Sequence, residues 1–408
     1  MAESIIFDSK YRNRIMVTNL PDFTNTEIAF ATKSDAELQK MHWLFDKMNR
    51  PWLVNLGTKF GLFAIRINFP FAQAILKNTL FAQFCGGRTL LECVPNVDKL
   101  ASKNVQTILD YGAEGKDTED DFNLTMNQII RAIEFAATQP HINVVSTKLT
   151  GLGRFGLLEK IHNKEVLTAE ESEEFNNLLK RIDSICYNAN NHGISVFIDA
   201  EETWIQDPVD DIADKMMARY NKTRPVVYNT FRMYRKASLG FLKQSFEKAQ
   251  KEGYILGAKL VRGAYMEKER KRAADMGYSS PIHETKADTD TDFNKGITFC
   301  IENINGMASC CASHNQKSSE IYAQLLIDNK IDGNHPHVMT SQLYGMSDHL
   351  TFNLADAGIH STKFMPYGPV KEVMPYLMRR AQENTSVTGD MSREFELIDR
   401  EVKRRKGK

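Results

Sequence analysis

The chain has no excess charge of either sign: lysine plus arginine and aspartate plus glutamate each number 52 in 408 residues. That balance excludes a whole-surface field that would gather nucleic acid or an anionic membrane, so any charge-based recognition must be local. Cysteine is scarce, and Cys85, Cys93, Cys186, Cys300, Cys310 and Cys311 include no CxxC pair. Such a set reads as free, mostly buried thiols in a reducing compartment, with the vicinal Cys310 and Cys311 in a strand. Long apolar runs are missing as well. The most apolar stretch, Phe60 to Phe84, is broken by Arg66, Pro70 and Lys77, which excludes a spanning helix of about 20 apolar residues. The opening MAESIIFDSKYRNR lacks the basic start of a signal peptide and the acid-poor character of a transit peptide. The expectation is a cytoplasmic protein with peripheral membrane contact at most. Hydrophobic content of 42% and charged content of 25% match ordinary soluble domains, so the chain should fold.

What is present is a rhythm. Residues 1–100 read as a helical segment, because AELQKMHWLFDKMN and PFAQAILKNTLFAQFC repeat apolar positions every three or four residues. From about residue 103, β-branched runs alternate with longer amphipathic stretches. The predicted strands are 105–111, 142–150, 194–200, 225–231, 254–261, 307–313, 337–341 and 361–367. Two of the helical stretches between them, SEEFNNLLKRIDSICYNANNHG and SLGFLKQSFEKAQKEG, end in the glycine expected just past a helix C-terminus. Residues 151–193 are long for one connection and leave room for an insertion. Polar residues gather near the C-terminal ends of several strands: Lys148, Asp199, Asn229, Arg262, His314 and Asn315. Barrel enzymes build sites from many strand ends, whereas an open doubly wound sheet concentrates ligands at one switch point. The expected fold is therefore a (β/α)8 barrel over 101–390, followed by a basic tail, 391–408, whose EVKRRKGK end is frayed.

Three motifs carry little. GLGRFG (151–156) satisfies GxGxxG after a strand, but lacks a helix opening at once and an acidic strand end about 20 residues on. ADTDTDFNKGITF (287–299) starts like a calcium loop, yet has Phe293 in place of the required glycine and Phe299 in place of the bidentate glutamate. His335 and His337 lack a third metal ligand, so no metal is expected. Two segments carry more. GAKLVRGAYMEKER (257–270) joins a strand, Arg262 for phosphate and a small Gly263–Ala264 pair that lets a ligand approach the backbone. MPYLMRRAQEN (374–384) sets Arg379 beside Arg380, with Tyr376 a turn before and Glu383 a turn after.

With LDYGAE, STKLTGLG, IDAEE, YNTF, ASHN, QLYGM and PYGPVKEVMPYLMRRAQEN, these segments resemble the proline dehydrogenase family, in order, over about residues 100–390. The resemblance implies a distorted (β/α)8 barrel of TIM type with FAD at the C-terminal strand ends and a final helix over the mouth. It implies that Lys148, Arg379 and Arg380 bind the proline carboxylate, that Leu260, Tyr265 and Tyr376 enclose the ring, and that Asp199 supports the site. For FAD it implies Asn229, Lys259, Val261, Arg262, Gly263, Ala264, His314, Asn315, Gln342, Leu343 and Glu383, with Lys286 and Thr289 carried over more weakly. The implied reaction is oxidation of L-proline to Δ1-pyrroline-5-carboxylate by hydride transfer from C5 to flavin N5. Electrons then pass to a quinone, and a separate pyrroline-5-carboxylate dehydrogenase takes the product.

Two positions depart from the common bacterial pattern. Lys259 stands where many members carry arginine near the flavin, replacing a fork of donors by a point charge. Phe364 stands where proline-specific members commonly carry tyrosine, which leaves the rejection of 4-hydroxyproline open. The competing readings are a 4-hydroxyproline dehydrogenase, a metal-dependent barrel hydrolase and a non-catalytic barrel used for binding.

Overall fold

The computed structural model describes residues 17–50, 77–112, 117–374, 376–377 and 390–407. Helices α1 (Asp35–Met48) and α2 (Leu90–Ala101) lead into strand β1 (Val105–Tyr111). Then follow α3 (Glu119–Ala137), β2 (Ile142–Thr147), α4 (Phe155–His162), α5 (Ala169–His192), β3 (Ser195–Ile198), α6 (Thr203–Tyr220) and β4 (Val227–Arg232). The second half runs α7 (Ser238–Glu252), β5 (Leu256–Val261), α8 (Met266–Met276), α9 (Lys286–Glu302), β6 (Met307–Ala312) and α10 (Gln316–Asp328). It closes with β7 (Val338–Leu343), α11 (Asp348–Asp356), β8 (Ser361–Tyr367) and α12 (Asp390–Arg405). The strands form one closed parallel barrel in chain order, β1 pairing with β8 from Val105↔Ser361 to Tyr111↔Tyr367.

Local chemistry sets the boundaries. Ser34 with Glu37, and Thr168 with Glu171, form reciprocal capping boxes that start α1 and α5. Gly193 (φ 72°) and Gly253 (φ 67°) end α5 and α7 in the left-handed conformation that an L side chain resists. Successive strand residues alternate between two apolar surroundings. Ile108, Val144, Phe197, Tyr228, Cys310, Met339 and Phe364 fill the lumen. Leu109, Val145, Val196, Val227, Leu260 and Met365 pack outward against the helices. Each such fully buried side chain contributes about 1.5–3 kcal/mol. All six cysteines are free and buried, Cys310 and Cys311 within β6.

The connection at 151–193 holds the extra helix α4 before α5, and a second extra helix, α8, follows β5. The two meet: Arg272 of α8 pairs with Glu159 of α4 at 2.6 Å and lies 4.4 Å from the Trp204 ring of α6. GLGRFG is a tight turn running straight into α4 at Phe155, so a helix does open there, contrary to the expectation. Gly153 packs against Leu178 of α5, where a Cβ would lie 3.0 Å from a leucine methyl.

A second apolar cluster joins the chain ends. Leu44 and Phe45 of α1, Phe81 and Phe84, Leu397 and Ile398 of α12, and Val373, Tyr376 and Leu377 past β8 are buried together. The expectation of a frayed tail is wrong. EVKRR is the last turn of α12, where fully buried Glu401 accepts hydrogen bonds from Arg404 and Arg405, and Arg405 reaches the Phe30 carbonyl at 2.9 Å. Hydrogen bonds and apolar contacts outweigh the mutual repulsion of the basic residues.

A buried ionic cluster fastens this layer to the barrel. Lys363, on the outer face of β8, pairs with Asp348 at 2.8 Å, and both are buried. Burial works against the Asp348 carboxylate, but Lys363 and Lys33 outweigh it and hold its carboxyl below the usual range. Glu394 of α12 accepts the Ser347 N–H at 3.0 Å. Replacing Lys363 with methionine keeps the volume and leaves the buried Asp348 charge with Lys33 alone, 3.7 Å away. The expected cost is about 3–5 kcal/mol by urea denaturation, most of it recovered in the double variant Lys363→Met/Asp348→Leu.

Candidate active site at the carboxyl mouth of the barrel

The alternation that fills the lumen with apolar side chains at its base delivers charged ones at its carboxyl end. In β5, Gly257, Lys259 and Val261 share the inward face. The Lys259 ammonium is buried, 2.5 Å from Asp199 Oδ1, 5.2 Å from the Phe197 ring centroid and 4.6 Å from that of Phe364. Asp199 follows β3 directly, and its N–H bonds the Thr147 carbonyl at 2.8 Å, which sets it beside Lys148 at the end of β2. Buried Glu201 lies behind them and accepts the Thr150 hydroxyl at 2.7 Å. Burial pushes the Glu201 carboxyl up, opposed by Lys148 and Thr150. The reading of the sequence singled out neither Glu201 nor two further lumen residues, Asp110 and Ser146, which face each other across β1 and β2. The signal available was the spacing of two from Ile108 and Val144.

A second group lies at the ends of β5 and β6. Arg262 donates to Asp290 (2.7 Å), Ser313 (2.6 Å) and Ser318 (2.9 Å), with its guanidinium 4.4 Å from the Phe293 ring centroid. Burial raises the Asp290 carboxyl, but Lys286 at 2.8 Å and Arg262 outweigh it, leaving it below the usual range. Thr289 is buried in the same first turns of α9. Asn315 caps α10, and His314 Nδ1 lies 2.8 Å from Ser347 Oγ. Gly263 has φ 133°, and a Cβ there would fall 2.6 Å from the Tyr234 ring. Tyr265 and Ala264 follow it and lead into α8, whose buried Glu269 accepts both the N–H and hydroxyl of Thr203 at 2.8 Å.

Three expected site residues are turned away from the lumen. Leu260 is fully buried in the outer layer, close enough to α9 that a Cβ on Gly296 would lie 2.9 Å from its methyl. Asn229 gives its side-chain amide to Asp210 of α6 at 2.9 Å, and Gln342 bonds the Ser313 carbonyl and the Thr351 hydroxyl of α11. Each is one residue from an inward position, so the pleat points it at the helices. Val261 and Leu343 keep the inward parity of Lys259 and Met339. Tyr376 is buried in the terminal cluster, while Arg379, Arg380 and Glu383 lie outside the described residues. The calcium-like segment is inside α9, with Phe293 in the core. His337 and His335 precede β7 at the opposite end of the barrel, His337 bonded to the Ile304 carbonyl at 2.7 Å.

A closed parallel barrel that sets a buried lysine–aspartate pair at its carboxyl mouth, beside an arginine-centred cluster on the rim, has the architecture of a (β/α)8 enzyme. The family model for proline dehydrogenase matches residues 93–393. Proline dehydrogenase 1, mitochondrial, of Dictyostelium discoideum is 31% identical over 401 residues, covering 88% of this chain and 69% of that one. The Arabidopsis thaliana protein of the same name is 32% identical, with 86% and 80% covered. A crystal structure of proline utilization A from Bdellovibrio bacteriovorus shares the fold, with a TM-score of 0.72 at 20% identity. It covers 86% of this chain, which spans only 38% of that longer one. The chain belongs to the proline dehydrogenase family. It is an oxidoreductase of proline catabolism.

Asp210 allows a test of the outward orientation of Asn229. Burial pushes the Asp210 carboxyl up to about 6 against hydrogen bonds from Asn229 and Gln206. The folded state therefore holds this proton more tightly than the unfolded chain. Its stabilising contribution is complete below 3.8 and is lost as pH rises through about 6. Asp210→Asn keeps the acceptor oxygen without the charge. The stability difference between variant and wild type should grow in the variant's favour by up to about 3 kcal/mol from pH 4 to pH 8, read from urea midpoints at each pH.

Proposed function

We propose that the chain oxidises L-proline to Δ1-pyrroline-5-carboxylate with FAD held at the barrel mouth, passing the electrons to a quinone. The observation that carries this reading is the buried Lys259 ammonium, fixed by Asp199 at the open end of the lumen. The residues present fit the cofactor. Arg262 and Lys286 supply cations on the rim, Gly263 supplies bare backbone, and α10 opens at Asn315 with its N-terminal amides. In the lumen, Ser146 Oγ is buried and has no hydrogen-bond partner among the described residues. A bound FAD would supply the two-electron acceptor, taking the hydride at N5.

The chain's own residues would do the rest. Lys148, Arg379 and Arg380 would grip the substrate carboxylate, while Tyr265, Tyr376 and Phe364 would wall the ring. Cations around the carboxylate lower the pKa of the substrate ammonium. Loss of that proton frees the nitrogen lone pair, and loss of hydride from C5 then leaves the C5=N double bond. Val261, Ala264, Thr289, His314 and Leu343 would line the cofactor, with Glu383 beyond them. Lys259 would place positive charge beside the isoalloxazine, favouring its anionic reduced form. Asp199 would hold that charge in place.

The product is a reactive imine whose onward oxidation calls for a pyrroline-5-carboxylate dehydrogenase. Membrane contact for quinone reduction would be peripheral; among the described residues no helix is long and apolar enough to cross a bilayer, and most of the apolar stretch Phe60 to Phe84 lies outside them. The free thiols fit a reducing compartment, cytoplasm or matrix alike; the curated relatives described above are named mitochondrial. A second reading rests on Phe364, which presents no hydroxyl to crowd C4 of the ring. Turnover on 4-hydroxyproline above that on L-proline would favour it.

Purified protein should be yellow and should bleach on adding L-proline under nitrogen. A flavin-free preparation that still oxidises proline, or a flavoprotein that proline does not bleach, would refute the proposal. Arg380→Ala should raise KM for L-proline and lower kcat/KM by about 10- to 100-fold, the loss of one charged hydrogen bond, with flavin retained.

A further inference from the structure

We propose that Phe364 and Phe197 are positioning residues: together they form a two-sided aromatic seat that fixes the Lys259 ammonium, with Asp199 closing the third side. The proposal rests on the flavin reading only for the use made of that ammonium. Lys259 projects from β5, Phe197 from β3 with Asp199 just past its end, and Phe364 from β8, so three separated strands converge on one cation. The ring centroids lie 5.2 Å and 4.6 Å from Nζ, inside the range where the negative face of a benzene ring attracts a cation. That attraction is strongest where water is excluded, and Lys259, Phe197 and Phe364 are all buried.

Lysine needs such a seat more than arginine does. An ammonium on a four-carbon stem is a point charge with three rotatable donors, whereas a guanidinium fork orients itself through paired hydrogen bonds. One carboxylate at 2.5 Å fixes distance but not direction. The two ring faces fix direction. Phe364 therefore acts on the cofactor side of the chemistry through Lys259, in addition to any part it has as a wall for the substrate ring. Replacing it by another apolar residue of similar size removes the π face and leaves the ion pair with Asp199, while tyrosine retains the face.

Two measurements test this, one of them independent of flavin. Sulfite adds reversibly to flavin N5 as an anionic adduct, which a nearby cation stabilises, and the bleaching of the visible band gives its dissociation constant. In the holoenzyme, Phe364→Leu should weaken sulfite binding about tenfold, and Phe364→Tyr should stay within about twofold of wild type. Acetic anhydride labelling of Lys259, followed by mass spectrometry on the flavin-stripped chain, should accelerate about tenfold in Phe364→Leu and remain near wild type in Phe364→Tyr. If Phe364→Leu does not accumulate as folded protein, Phe364→Met serves. Unchanged sulfite affinity and unchanged labelling in the apolar variant would overturn the seat. A wild-type chain that binds no flavin but shows the labelling contrast would leave the seat standing and sink the flavin reading.

Discussion

A charged lysine inside a barrel lumen is expensive, and much of the mouth of this molecule follows from keeping that charge. Moving an ammonium out of water costs several kcal/mol, recovered only when a counter-charge and further favourable contacts are held at good geometry. Asp199 provides the counter-charge at 2.5 Å. Its place is set by the backbone, because β3 ends after Ile198 and the Asp199 N–H is captured by the Thr147 carbonyl at the end of β2. The same hydrogen bond brings Asp199 next to Lys148. The register of two short strands thus sets Lys148 beside the carboxylate that holds Lys259.

The rim is stabilised from a distance. His314 follows β6, yet its Nδ1 meets Ser347 Oγ, and the Ser347 N–H is held by Glu394 on the last helix. Ser347 sits at φ 50°, a left-handed conformation uncommon for a residue with a Cβ, and these contacts maintain it there. Nearby His349 is kept neutral, its pKa pushed down to about 3 by burial and by Lys363 and Arg393. The cluster therefore binds α12 to the loop that orients His314. The terminal helices act as a clamp on the rim, which explains why α12 stays helical to Arg405 despite its run of basic residues.

The barrel was legible because rhythm is a property of the chain. The limits of β1 and β8 match the predicted 105–111 and 361–367, although both strands carry polar residues among the apolar ones. Strand β3 is shorter than 194–200 because polar Asp199 and Ala200 leave the ladder for the mouth, and β7 runs past 341 because Leu343 still faces the lumen. What the sequence concealed is which face each residue takes. Parallel barrel strands are buried on both sides, so they carry no alternation of polar and apolar residues from which parity can be read. Leu260, Asn229 and Gln342 lie inside the motifs that carry the family resemblance, and each is turned to the helices. Asp110 and Ser146 lie on the correct face, two residues from Ile108 and Val144, but that spacing points to the lumen only once the parity of the strand is known.

Strand β5 shows how parity is nevertheless enforced. Its inward residues are Gly257, Lys259 and Val261, and Arg262 follows one step beyond on the outward parity, directed to α9 and α10. One strand therefore delivers a cation to the lumen and another to the rim, three residues apart, which suits a ligand with a flat ring inside and phosphates outside. A slip of one residue would bury Lys259 against the helices. Gly257 forbids it: a Cβ at that site would lie 2.2 Å from the Val227 carbonyl oxygen and 2.9 Å from the Tyr228 Cα. Any other residue brought there by a slip would drive β4 and β5 apart and break the pairing from Asn229↔Ala258 to Arg232↔Val261. The glycine that opens the GAKLVRGAY motif thus sets the register in which the two cations point to different places.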